Sequence, residues 1–243
     1  MKKQSGKLPS TPWEINESMF LSEAEVDNLL RYLRDVERES PPSERNRRMI
    51  DRLIIEILVF SGIQNSELCR LKVDDTEAGH GQPYLRIDST SPEARYVYLP
   101  NALSREISNY VYGSRSEMIQ DRERDETAQV LIVNERGRPY DRTALYRRVV
   151  RILSAAGLGD RASVQLLRHT YGFLAYKRSQ GNLLFVQQQL GHAHPMVTAV
   201  YAQFVQFSYA KLADATATTT PPAVDEIVPS TNPSSSQKRK SRK

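Results

Sequence analysis

Gln165-Leu166-Leu167-Arg168-His169-Thr170, then Leu190-Gly191-His192, then Tyr201: the reading of this chain turns on these residues. Apolar side chains recur at helical spacing through 164–178 and 183–190, and Gly181-Asn182 separates the two runs, so two helices are expected. Arg168 then projects from the first helix, His192 follows the end of the second, and Tyr201 falls in a last helical stretch, 196–213. A tyrosine phenol with a pKa near 10 needs a base or a cationic neighbourhood before it can attack phosphorus. A guanidinium can grip two phosphate oxygens and offset transition-state charge, and a histidine can donate to a phosphate or shuttle a proton. Taken singly, each has a plainer reading. Tyr201 is one of twelve tyrosines, Arg168 a helix residue, and His192 a residue after a C-capping glycine. His169 reads as a packing or hydrogen-bonding residue, and His194 before Pro195 as a turn.

Outward from this run the pattern is mostly helical with a small sheet. Residues 1–19, with Pro9 and Pro12 and no period, read as a flexible leader. Ser22-Glu23-Ala24-Glu25 is a capping box, and Val26, Leu29, Leu30 and Leu33 continue a helix to about Glu39. Pro41-Pro42 ends it. A second helix is expected over 44–60, stopped by Ser61-Gly62, and a short one over 66–72. Tyr84–Asp88 and Arg95–Leu99 are β-prone runs around Ser89–Glu93, a hairpin with a longer loop. A helix over 103–112, a charged connector through 121–126, a strand over 130–133 and a helix from Asp141 to about Ala156 follow. From 214 onward Thr, Pro and Ser predominate, so a disordered tail ending in the basic Lys238–Lys243 is expected. Strands do not alternate with helices and no glycine-rich phosphate loop occurs, which disfavours a dinucleotide-binding unit.

The 243 residues give room for a sizeable core, and the formal charge of +5 permits a nucleic-acid partner. Cys69 is the one cysteine, so no internal disulfide can form and a reducing, cytoplasmic setting is the expectation. There is neither a signal peptide nor an apolar run long enough to span a bilayer, so no membrane partner is expected. His80, His169, His192 and His194 lack a Cys/Asp cluster at zinc spacing; no metal or other cofactor is expected.

In combination, Leu167-Arg168-His169-Thr170, Leu190-Gly191-His192 and Tyr201 resemble the C-terminal half of a tyrosine recombinase (phage integrase) site. Ser61-Gly62-Ile63-Gln64-Asn65-Ser66-Glu67-Leu68 is similar to that family's Thr-Gly-Leu-Arg-x-Ser-Glu-Leu box. Phe20-Leu21-Ser22-Glu23-Ala24-Glu25 looks like the opening of its catalytic domain, and Arg95–Pro100 like its hairpin end. The resemblance covers roughly residues 20–210. It implies a mainly α catalytic domain with a small β-hairpin or sheet, set over duplex DNA, that cuts through a phosphotyrosine without a metal. Tyr201 would be the nucleophile, Arg168 the phosphate clamp and His192 the phosphate donor or proton shuttle, while Arg86 and Arg95 on the hairpin would contact DNA.

Three positions depart from the family pattern. Gln64 stands where the family carries its first arginine, Thr90 near its hairpin lysine, and Gln165 at its first histidine. Glutamine can hydrogen-bond a phosphate oxygen but brings no charge. Two outcomes follow: a recombinase with impaired cleavage, or an inactive member serving as an accessory or regulatory DNA-binding protein. The resemblance implies either a homo-oligomer on DNA or an assembly with an active recombinase. Two-domain members carry about a hundred residues before the stretch matching Phe20, and nineteen precede it here, so a layout without a separate clamp and with fewer phosphate contacts is expected.

Overall fold

The computed structural model describes residues 15–77, 82–90, 94–120, 129–207, 213 and 216. The compact unit ends at Gln206. In chain order its elements are α1 (Glu23–Glu39), α2 (Pro42–Ser61), α3 (Asn65–Arg70), β1 (Thr76–Glu77), β2 (Tyr84–Ile87), β3 (Arg95–Tyr98), α4 (Asn101–Tyr110), α5 (Ser116–Ile119), α6 (Arg142–Leu153), α7 (Val164–Arg178), α8 (Leu183–Leu190) and α9 (Pro195–Ala199). A 3-10 turn, Val200–Phe204, follows α9.

The capping box forms as expected. Ser22 Oγ accepts from the Glu25 amide at 3.3 Å, and the Glu25 carboxylate accepts from the Ser22 amide at 2.8 Å. Pro42 opens α2 two residues before the expected start, because its fixed φ suits the first helical position and it has no amide hydrogen to leave unpaired. Ile50, Leu53, Ile54, Ile55, Ile57, Leu58 and Val59 on α2 are each at most 1% exposed. A helix apolar on nearly all sides belongs at the centre, and α2 packs against α1, α4, α6 and α7. Each such side chain contributes about 1.5–3 kcal/mol through burial.

The sheet is antiparallel in the order β1-β2-β3, with Leu85 opposite Val97 and Ile87 opposite Arg95. Leu85, Ile87 and Val97 face the core, while Tyr96 and Tyr98 stay exposed. β1 was not expected; two residues carry too little pattern to read. The expected strand over 130–133 is instead a pair of isolated bridges, Lys72 to Val130 and Val133 to Pro139. Its backbone is claimed elsewhere. The Leu131 amide donates to Leu71 O at 2.7 Å, Arg115 donates to the carbonyls of Val130 and Leu131, and the Val133 amide donates to Tyr110 Oη.

Other boundaries shift by local chemistry. α3 begins at Asn65, one residue before expectation, and ends at Arg70. α4 begins directly after Pro100, and a kink at Gly113 (φ −105°, ψ −111°) within Val111–Arg115 separates its path from α5. The stretch after α6, Ser154–Leu158, likewise kinks, at Gly157 in the left-handed region (φ +83°). Residues 15–19, expected within the leader, hold a 3-10 turn capped by Asn16, whose side chain accepts from the Ser18 amide at 3.0 Å. The helix expected beyond Phe204 is not continued through 205–207, which are irregular. Residues 1–14, most of the charged connector and nearly all of 208–243, including the basic end, lie outside the described residues.

Asp51 on the central helix is buried and bonded at 2.7 Å by Arg148, which also reaches Glu135 and the Arg47 carbonyl. Burial holds the Asp51 carboxyl above its ordinary value against the pull of Arg148. Arg148→Ala removes that partner and is expected to cost about 3–5 kcal/mol in urea denaturation. A carboxyl whose folded pKa is raised favours folding when protonated, so stability is lost as pH rises through that pKa. The deficit should therefore be largest at neutral pH and shrink toward the ordinary carboxylate range near ~4; a deficit independent of pH would show that Asp51 does not carry it.

Candidate active site

Arg168 sits in the second turn of α7 and is 8% exposed. One guanidinium nitrogen donates to Gly62 O at 2.6 Å and another to Leu190 O at 2.7 Å. Those carbonyls lie at the C-terminal ends of α2 and α8, where the helix dipoles favour a cation. Gly62 caps α2 in the left-handed region at φ +65°, and a Cβ there would meet the Tyr171 ring at 2.4 Å. Burial presses the Arg168 pKa down and Glu67 opposes it.

Glu67 on α3 is a second anchor. It takes a two-pronged ion pair from Arg95, at 2.7 and 3.0 Å, and accepts from the Gln64 amide at 2.6 Å. Desolvation alone would raise its pKa, yet the bonds from Arg95 and the Gln64 amide hold it below the ordinary range. Arg95 also reaches the Gln189 carbonyl at 3.5 Å, so it ties β3 to α3 and α8.

Tyr201, on the turn after α9, is 1% exposed. Its ring lies on Gly172 of α7, where any Cβ would fall 2.3 Å from Cζ and 2.5 Å from Oη. Tyr201 Oη lies 3.0 Å from His169 Nδ1, and His169 Nε2 lies 2.9 Å from Gln165 Nε2. Burial pushes the Tyr201 phenol up to about 12, with Arg168 pulling the other way. His169 is lowered by burial and by the Arg168 charge. His192 follows the Gly191 cap of α8, and its Nδ1 lies 2.8 Å from Thr198 Oγ1. Burial, then the charge of Arg168, brings His192 down to about 4. Both imidazoles are therefore neutral at neutral pH.

A cleft of about 820 Å³ joins these groups, with Gln64, Gln165, Arg168, His169, His192 and Tyr201 all on its wall. An adjoining cleft of about 640 Å³ shares Gln64, Gln165 and Arg168 and adds Arg142 and Tyr146 from α6. Five of the residues singled out in the sequence thus meet: Tyr201, Arg168, His192, Gln64 and Gln165. Thr90, Arg86 and Arg95 line neither cleft. Thr90 is exposed in the turn after β2, and Arg86 pairs with Asp75 at 3.2 Å. Two further residues contact Tyr201. His169 was read as structural, although it lies one helical turn from Gln165 and shares its face. Gly172 gave no signal beyond a glycine inside a helix.

The family model for the phage integrase family matches residues 19–206. The chain belongs to that family. Among curated proteins it is 29% identical over 161 residues to the tyrosine recombinase XerH of Campylobacter jejuni, covering 66% of this chain and 43% of that one. It is 27% identical over 186 residues to XerH of Helicobacter pylori, covering 76% and 48%. The chain therefore spans about half the length of these relatives. A crystal structure of XerH bound to a palindromic difH substrate, in a post-cleavage complex, superposes with a TM-score of 0.62 at 25% identity, covering 82% of this chain and 52% of that one. XerA recombinase, at 22% identity and a TM-score of 0.59, has the same fold.

Gly172→Ala tests the seat of the phenol. The added methyl should displace the Tyr201 ring and cost about 1–3 kcal/mol by overpacking, although alanine suits a helix better by about 1 kcal/mol. In ultraviolet difference titration against Tyr201→Phe, the phenol should move from about 12 toward the ordinary value. An unmoved titration would mean that Gly172 is not the seat.

Proposed function

We propose that this chain is a tyrosine recombinase catalytic domain that cuts and rejoins duplex DNA through a phosphotyrosine at Tyr201, with weakened transition-state support. The meeting of Tyr201, Arg168 and His192 in one cleft, beside two helix ends that hold the arginine rigidly, carries this reading. Tyr201 Oη attacks the scissile phosphorus, the bond to the 5′-oxygen breaks, and a 3′-phosphotyrosine holds the strand until a 5′-hydroxyl reverses the step. Arg168 meets the non-bridging oxygens. His192, neutral, donates to the phosphate or relays a proton. Gln64 and Gln165 supply neutral hydrogen bonds where the family has cationic or protonatable groups, and a preorganised donor lost from such a site costs about 100- to 1000-fold. Arg142, which lines the adjoining cleft with Gln64, would meet a neighbouring phosphate. Strand exchange needs several such sites on one DNA, so the working form is an oligomer of this chain or a mixed assembly with an active recombinase.

The accessory reading has one observation in its favour. Arg168 already spends hydrogen bonds on two carbonyls and Tyr201 is almost wholly covered, a state better suited to holding DNA than to cutting it. Nicked suicide duplexes with a randomised core decide between the two. The cutting reading expects a covalent protein–DNA band that is absent in Tyr201→Phe and about 100-fold or more stronger in Gln64→Arg, which restores a cation beside Arg168. Salt-sensitive DNA binding with no covalent band, in either the natural chain or Gln64→Arg, would make the chain an accessory DNA-binding protein.

A further inference from the structure

Resting on the phosphotyrosine reading, we infer that His169 is the base that takes the phenol proton of Tyr201, and that Gln165 sets the ring tautomer that lets it do so. His169 Nδ1 is 3.0 Å from Tyr201 Oη, within hydrogen-bond distance. Its other nitrogen is engaged by the Gln165 amide at 2.9 Å. Gln165 and His169 are four residues apart on α7, so one helix face holds the ring from behind while Tyr201 meets its front. With the amide nitrogen toward the ring, Nε2 accepts and Nδ1 carries the proton; the ring then donates to the phenol oxygen and is disarmed. Half a turn of the amide puts Oε1 at the same place. Nε2–H then donates to Gln165, and Nδ1 presents its lone pair to the phenol.

The charged and titratable groups about His169 are Arg168 on the same helix, His192 after α8, Tyr201 itself, and Asp160, Arg161 and His194 on the cleft wall. Burial, and then the Arg168 charge, leaves the ring neutral at neutral pH, so it has room for a proton. A phenol pushed to about 12 is ionised in roughly one molecule in 10⁵ at neutral pH, so attack without a base is slow. In cleavage the phenol proton passes to Nδ1, the Tyr201 oxygen bonds to phosphorus, and the bond to the 5′-oxygen breaks. That oxygen takes a proton from water. In rejoining, the imidazolium returns its proton to the departing phenolate.

Thymidine 3′-(p-nitrophenyl phosphate) isolates this step, because p-nitrophenolate leaves without a proton and no target sequence is needed. The full chain should acquire a thymidine 3′-phosphoryl adduct on Tyr201, located by peptide mass spectrometry and absent in Tyr201→Phe. His169→Gln should label about 100-fold more slowly at neutral pH. Its rate should then climb with pH until the gap closes, since hydroxide replaces the missing base. Gln165→Glu places a carboxylate on Nε2 and should move the onset of the natural chain's pH profile upward. The inference is overturned if His169→Gln labels at the natural rate, if its deficit is the same at every pH, or if Gln165→Glu leaves the onset in place. A natural chain that acquires no adduct would overturn the phosphotyrosine reading itself, and this inference with it.

Discussion

Arg168 donates to the carbonyls of Gly62 and Leu190, and the cleft exists because those two bonds hold. They join the end of the most buried helix, α2, to the end of α8, with α7 between them. Much of the cleft wall hangs from these three helices. Gln64 leaves the end of α2, His192 leaves the end of α8, and α7 carries Gln165, His169 and the glycine under the Tyr201 ring. A buried guanidinium is expensive unless its donors are satisfied, and two helix C-termini satisfy it with backbone oxygens that bear partial negative charge. The same arginine is thus a structural rivet and a positive charge on the wall of both clefts.

That economy has an electrostatic consequence. Both imidazoles are held neutral, largely by burial and by the Arg168 charge itself, and the two glutamines add none. Arg95, which in sequence looked available to DNA, is committed to Glu67 with 20% of its side chain exposed. The Glu67–Arg95 pair therefore acts on the cleft by fixing where α3 begins and where α8 ends. Under the proposed function, a phosphodiester here would meet well-ordered geometry, with Arg168 the cation common to both clefts.

How much of this was legible in the sequence depends on whether the signal was local. The helices around the core were readable because Val26, Leu29, Leu30 and Leu33 on α1, and the isoleucine-rich face of α2, carry a 3.6-residue period and capping chemistry. Tyr201, Arg168 and His192 were readable because spacing and residue type together match a family pattern. Val130–Val133 misled, since a β-prone run becomes a strand only if a neighbouring strand accepts its bonds, and here Leu71, Arg115 and Tyr110 take them. His169 was undervalued because its meaning comes from Tyr201, 32 positions away, and no period in α7 reports that contact. The seat at Gly172 is a fact of ring against backbone, which only packing reveals.

The opening turn of the described chain touches the segment that carries Tyr201. Gln203 donates to the Ile15 carbonyl at 3.3 Å, and the Phe20 ring meets Phe204 edge-on at 4.9 Å and stacks on Phe173 of α7 at 4.5 Å. Residues 15–20 and 200–204 are thus a single mechanical piece, buckled to α7 by aromatic contacts. The turn that carries Tyr201 is therefore braced by residues 188 positions away in the chain, so its seat is built from both sides of the sequence.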